Sequence, residues 1–144
     1  MSVETNKAAV RAYFQALDAG DVAALDGLFM EDCVIHRPGI AEPLRGLDAI
    51  RQIVRNAKRN YTRMVSVIHD LVGEGDYVSV RLTHTVTMAA TWSSRLGTHE
   101  VAGKHLTWHP LVLFRFRGDK IAVEWVCRDE LGMAIDLGIL EASA

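Results

Sequence analysis

The chain has little of what would place it in several broad classes. It has two cysteines, Cys33 and Cys127, in 144 residues. That is too few for a disulfide framework, so a reduced, cytoplasmic protein is expected. No apolar run approaches the ~20 residues that cross a bilayer. The start, MSVETNKAAVRAYF, has no apolar stretch behind a basic one, so no secretory leader is expected. Lysines and arginines neither cluster nor interleave with aromatics, and the formal net charge is -2. Both points argue against a nucleic-acid partner, and none is expected, nor is a membrane. No His-x-His pair occurs among the six histidines. His105 and His109, if on a strand, would lie roughly 13 Å apart, too far to share one ion, so no metal is expected. Repeats, low-complexity stretches and linkers are also missing.

What is present is a chain that is 49% hydrophobic, long enough for one core, so residues 1–144 are expected to form a single domain. Val10, Tyr13, Phe14 and Leu17 recur at helical spacing, predicting a helix from Val3 to Ala19 that Gly20 stops. Asp21 can cap a second, short helix from Val22 to Met30. Cys33 to His36 reads as a strand, and a Pro- and Gly-containing loop leads to Gly46. A third helix is predicted from Leu47 to Asn60, with Ile50, Ile53, Val54 and Ala57 on one side. Strands follow at Met64–Val72 and Tyr77–Ala90. Residues 92–103 read as a polar, mobile rim that includes Trp92. Glu130 to Glu141 reads as a terminal helix or tail. Helices first and strands last predict an α+β fold, three N-terminal helices packed on a curved, mostly antiparallel sheet. Such a cone leaves a pocket for a hydrophobic small-molecule ligand.

The segment from Lys104 to Asp129 is the most informative. Two apolar-alternating strands meet at Gly118-Asp119, a favoured two-residue hairpin turn. Counting outward from it pairs Phe116 with Ile121, Phe114 with Val123 and Val112 with Trp125, and reaches Asp129 opposite Trp108. One face then holds Leu106, Trp108, Val112, Phe114 and Phe116 with Ile121, Val123, Trp125, Cys127 and Asp129. Asp129 is the lone carboxylate on it, and an apolar setting would raise its pKa toward useful acid–base values. The other face carries His105, Thr107, His109, Leu111 and Leu113 with Ala122, Glu124, Val126 and Arg128. Its apolar centre and charged margin fit a partner surface.

Several short stretches resemble one superfamily. They are Tyr13-Phe14-x-Ala-Leu-x-Ala-Gly20-Asp21, Leu28-Phe29-x-Glu-Asp32-Cys-Val, His36-x-Pro38, Gly46-x-x-Ala-Ile50 and Phe114-Arg115-Phe116-x-Gly-x-Lys-Ile121 followed by Glu124-Trp125. Together they resemble the NTF2-like cone fold, and within it the SnoaL-like polyketide (ester) cyclases. The ending Trp125-x-x-x-Asp129-x-x-Gly132, with Leu137-Gly138, is similar to that group's tail. The resemblance implies cofactor-free aldol ring closure by an acid–base pair, and a homodimer through the convex sheet face. Many relatives carry an acid directly after the tryptophan; in this chain that position is Val126, which leaves Asp129 as the substitute. Compared with the ketosteroid isomerases of this fold, Tyr13 matches their oxyanion-binding tyrosine and His36 their general-base position. Val112 stands where their second donor would be and cannot donate. The Arg-x-Asp pair of the fold's epoxide hydrolases is absent.

The candidate catalytic residues are therefore Asp129, His36, His84 and Tyr13, with Trp108, Trp125, Val112, Phe114 and Leu82 as pocket walls. Each has a structural alternative. Asp129 can be the N-cap of the last helix, His84 a satisfied core histidine, and Tyr13 and the tryptophans ordinary core residues. His109 reaches the pocket only if Pro110 induces a bulge. The alternatives to a cyclase are a double-bond isomerase and a non-catalytic small-molecule binder.

Overall fold

A computed structural model describes residues 2–143. Helix α1 (Val3–Ala19) opens on Ser2, whose side chain accepts from the Thr5 N–H, and closes on Gly20 at φ 69°. Only glycine takes that left-handed backbone cheaply, and its N–H returns to the carbonyls of Ala16 and Leu17. Val10, Tyr13, Phe14 and Leu17 are all buried, as their spacing predicts. Helix α2 (Leu47–Asn60) has the expected bounds, with Ile50 and Val54 fully buried.

The second expected helix shrinks to a 3-10 turn, Ala23–Gly27, with Asp21 capping Ala24 at 3.3 Å. Its predicted end is taken by strand β1 (Phe29–His36), because Phe29 is drawn into the core opposite Ile121. A short β2 (Leu44–Arg45) pairs with β1. The third α-helix, α3 (Glu130–Asp136), lies at the C-terminal end rather than with the first two.

The remaining strands are β3 (Tyr61–Glu74), β4 (Tyr77–Met88), β5 (Thr91–Ser94), β6 (Gly97–Glu100), β7 (His105–Trp108), β8 (Leu111–Arg117) and β9 (Lys120–Cys127). The curved sheet runs β2-β1-β9-β8-β4-β3, with β7 beside the far half of β4. All pairings are antiparallel except β1 with β9. Most of residues 92–103, expected as a mobile rim, lies in the β5–β6 hairpin. It is held down because Trp92 is buried in a second cluster with Met88, Leu106, Trp108 and Met133.

The turn between β8 and β9 is as expected. Arg117 faces Lys120, Phe116 faces Ile121, and Gly118 supplies the positive φ. Beyond that the register departs from the count. Arg115 pairs with Val123, so Ala122 is an extra residue on β9, a β-bulge. Phe114 then faces Glu124 and Val112 faces Val126. One inserted residue in a period-two strand exchanges its faces. Glu124, Val126 and Arg128 line the concave side, where Val123, Trp125 and Cys127 were expected. The β7–β8 half keeps its expected parity, with Leu106, Trp108, Val112, Phe114 and Phe116 buried.

Candidate active site

The mouth of the cone holds a cavity of about 380 Å³. Helix α1 contributes Tyr13, Phe14 and Leu17, and α2 contributes Ile53, Asn56 and Ala57 from the turns that face the sheet. Tyr61 and Met64 of β3, His84 of β4, Trp92 of β5 and Trp108 of β7 form one wall. Val112 of β8 and Glu124 and Val126 of β9 form the floor, and Arg37 and Arg128 stand beyond the ends of β1 and β9.

The carboxylate inside this cavity is Glu124, which is 1% exposed. Burial pushes its pKa up from 4.5 to about 7, against the opposing pull of the Arg37 charge and of the nearby Tyr13 hydroxyl. Glu124 Oε1 is buried without a partner among the described residues. A bare buried acceptor is costly unless a ligand group meets it. Tyr13, 2% exposed, packs edge-on against Phe29 and Phe114. Burial first, and the Glu124 charge second, hold its phenol protonated well above the usual range.

His84 is also in the cavity, between Phe14 and Trp108 at ring-centroid distances of 5.9 and 5.0 Å. Its Nδ1 lies 2.7 Å from Ser66 Oγ. Ser66 in turn donates through Oγ at 2.5 Å and through its backbone N–H at 2.8 Å to the two oxygens of Asp18. The serine proton is committed to Asp18, so Ser66 Oγ accepts from Nδ1–H of His84. The other ring nitrogen, Nε2, is then left as an acceptor. Desolvation, with smaller contributions from Arg128 and Arg37, lowers the His84 pKa to about 4, so the ring is neutral at pH 7.

Of the residues named from the sequence, Tyr13, His84, Trp108 and Val112 line the cavity. Leu82 and Phe114 lie in the core beneath it, both fully buried. Three others are elsewhere. Asp129 is exposed as the N-cap of α3, its Oδ1 accepting from Gly132 N at 2.8 Å. The β9 bulge moves its expected place on the concave face to Arg128. Trp125 is turned to the outer face by the same bulge. It stacks there on its register partner His36, ring centroids 5.7 Å apart and planes 5° from parallel. His36 leaves the cavity because its β1 neighbour Ile35 takes the inward position. His105 and His109 are on the outer face as expected, bonded to Thr87 and Thr83. Asp129→Ala should therefore cost only the cap, about 1 kcal/mol, and leave ligand binding in the cavity unchanged. Thermal melts alongside ligand titration check this.

Sequence reasoning missed Glu124, Arg37, Arg128, Tyr61 and the Asp18–Ser66 pair. Two of these had a signal. Asp18 follows Phe14 by four residues on the inward side of α1, and Ser66 sits between Met64 and Ile68 at the apolar parity of β3. Polar residues on apolar stripes ask for partners, and these two supply them to each other and to His84.

Fold and site define a cone-shaped α+β domain with a small-molecule cavity that carries titratable groups. The sequence profile of the SnoaL-like domain matches residues 10–124, and the chain belongs to that family, within the NTF2-like superfamily. A search of curated proteins found no match. Among solved structures it is similar to TsrD from Streptomyces laurentii, with 20% identity, TM-score 0.85, and 97% of this chain and 99% of that one covered. It is similar to IdmH from Streptomyces antibioticus, a suggested polyketide cyclase, with 22% identity, TM-score 0.79, and 92% and 98% covered. It is also similar to an LEH-like epoxide hydrolase of M. tuberculosis, with 17% identity, TM-score 0.74, and 95% and 92% covered. At these identities the likeness establishes the cone fold and leaves the chemistry to the residues of the cavity.

Proposed function

We propose that this protein is a cofactor-free acid–base enzyme of the SnoaL-like polyketide cyclase type, acting on a hydrophobic substrate at a carbon next to a carbonyl. The observation that carries the reading is Glu124, a fully buried carboxyl with a pKa of about 7 and a bare oxygen, in a cavity walled by Trp92 and Trp108. A base whose pKa lies near the working pH combines the ionised form with useful basicity. Among carboxyls the sequence pointed to Asp129 alone for this role; with the β9 bulge, Glu124 is the carboxyl that lines the cavity.

In this mechanism Glu124 removes the α-proton. The enolate oxygen accepts a hydrogen bond from Tyr13 or Tyr61, phenols that burial keeps protonated. The enolate carbon attacks a second carbonyl of the same substrate, and the proton held by Glu124 returns to the new alkoxide. Nε2 of His84 accepts from a substrate hydroxyl and so fixes the ring being closed. A substrate packed against Trp92 and Trp108 displaces the water that would otherwise protonate the enolate. The exposed outer-face residues Val67, Leu111 and Leu113 support the homodimer through that face as part of the same reading.

The abstraction step can be tested without the physiological substrate. The protein in D₂O should accelerate α-hydrogen exchange of 2-tetralone, followed by proton NMR, while binding is followed by quenching of tryptophan fluorescence. Binding without exchange above the buffer rate would leave a non-catalytic binder.

A further inference from the structure

We propose that the cavity is built for an aromatic substrate bearing a permanent carboxylate, which Arg37 and Arg128 clamp at the mouth while the carbonyl end meets Glu124. This deepens the catalytic reading by naming the substrate class, and it rests on the same cavity.

Two guanidinium groups line one half-open cavity. Neither takes part in an ion pair or a side-chain hydrogen bond among the described residues. Arg128 Nε is buried with no hydrogen-bond partner among the described residues. Glu130, whose charge reaches Arg128, is tied to Arg95 at 2.6 Å. The two arginines also act on each other, since the charge of Arg37 disfavours that of Arg128. Arg37 lines the same cavity as Tyr13, Tyr61, His84 and Glu124, and its charge acts on each of them.

A charge count makes the mismatch plain. Among the described residues the lining carries two cations and a single acid, Glu124, which is only partly ionised at neutral pH, while His84 is neutral. The cavity holds an excess of positive charge with unmet donors. A carboxylate answers both needs, because its two oxygens match the planar fork of a guanidinium. Trp92, Trp108 and Tyr61 beside the arginines offer flat apolar surface, which sets the rest of the ligand as aromatic.

The test compares 1-naphthoate with its uncharged analogue 1-naphthamide, titrated calorimetrically at pH 7. The natural protein should prefer naphthoate by roughly tenfold or more, the worth of one charge-assisted contact. R128M and R37M should each lose most of that preference while binding naphthamide as before, and R128K should keep part of it. R37M serves if R128M fails to fold. E124Q should keep the preference, which separates this inference from the catalytic one. Failure of tetralone exchange with the naphthoate preference intact would sink the mechanism alone. Equal binding of the two probes, a preference unchanged in both methionine variants, or no binding of either probe at millimolar concentration would overturn the carboxylate clamp.

Discussion

Replacing Glu124 with glutamine should reduce α-hydrogen exchange by about 10²- to 10⁴-fold, the usual worth of a positioned general base. In the natural protein the rate should climb with pH through about 7 as Glu124 ionises, and that limb should vanish in E124Q. The same substitution has a large effect on stability that needs no substrate. Burial raises the Glu124 pKa from 4.5 to about 7. Between those values the folded protein keeps a proton that the unfolded chain has lost, so the contribution of this group to stability falls as pH rises across the window. The interval corresponds to about 3 kcal/mol. Chemical denaturation at pH 4.5 and pH 8 should show E124Q gaining on the natural protein by up to that amount. An unchanged difference would mean that Glu124 is solvated, which would remove the base from the mechanism.

Replacing His84 with glutamine should produce the opposite slope. Its folded pKa is lowered from 6.5 to about 4, so its contribution is present above 6.5 and is lost as pH falls toward 4. H84Q should gain on the natural protein by up to about 3 kcal/mol over that fall. The two windows overlap between pH 4.5 and 6.5, where the Glu124 and His84 slopes cancel. Each single variant therefore exposes a pH dependence that the natural protein hides. Turnover should fall by about 10- to 100-fold in H84Q, the loss of one substrate hydrogen bond and its orientation. Ser66→Ala tests the relay separately, since it leaves the ring in place and frees its tautomer. Nitrogen-15 shifts should report Nδ1–H in the natural protein and a mixture in S66A. Nε2–H in the natural protein would reverse the assigned direction of the Asp18–Ser66–His84 chain.

Most of the scaffold was legible in the residues. The α1 stripe, the bounds of α2, the long β4 and the Gly118-Asp119 turn all follow from local periodicity and turn chemistry, which act within a few residues. The site was legible only in part. Tyr13, His84, Trp108 and Val112 were found because each lies on an element whose parity nothing interrupts. Asp129, Trp125 and the missed Glu124 share one cause, the extra residue Ala122. Both faces of β9 are mixed, Val123 and Trp125 on one and Ala122 and Val126 on the other, so hydrophobicity alone does not choose between them. His36 and the 3-10 turn failed for a related reason, because β1 takes its place from a parallel partner nearly ninety positions along the chain.

The sequence by itself determined an α+β cone, a cavity with aromatic walls and the presence of ionisable groups near its mouth. These depend on period, turn residues and the burial of apolar side chains. The tertiary structure decided which carboxylate enters that cavity, which histidine nitrogen faces it, and that two arginines stand there without side-chain partners among the described residues. Those outcomes depend on strand register and on contacts between distant segments. A one-residue bulge costs little locally, yet it turns every later side chain of β9 through the sheet.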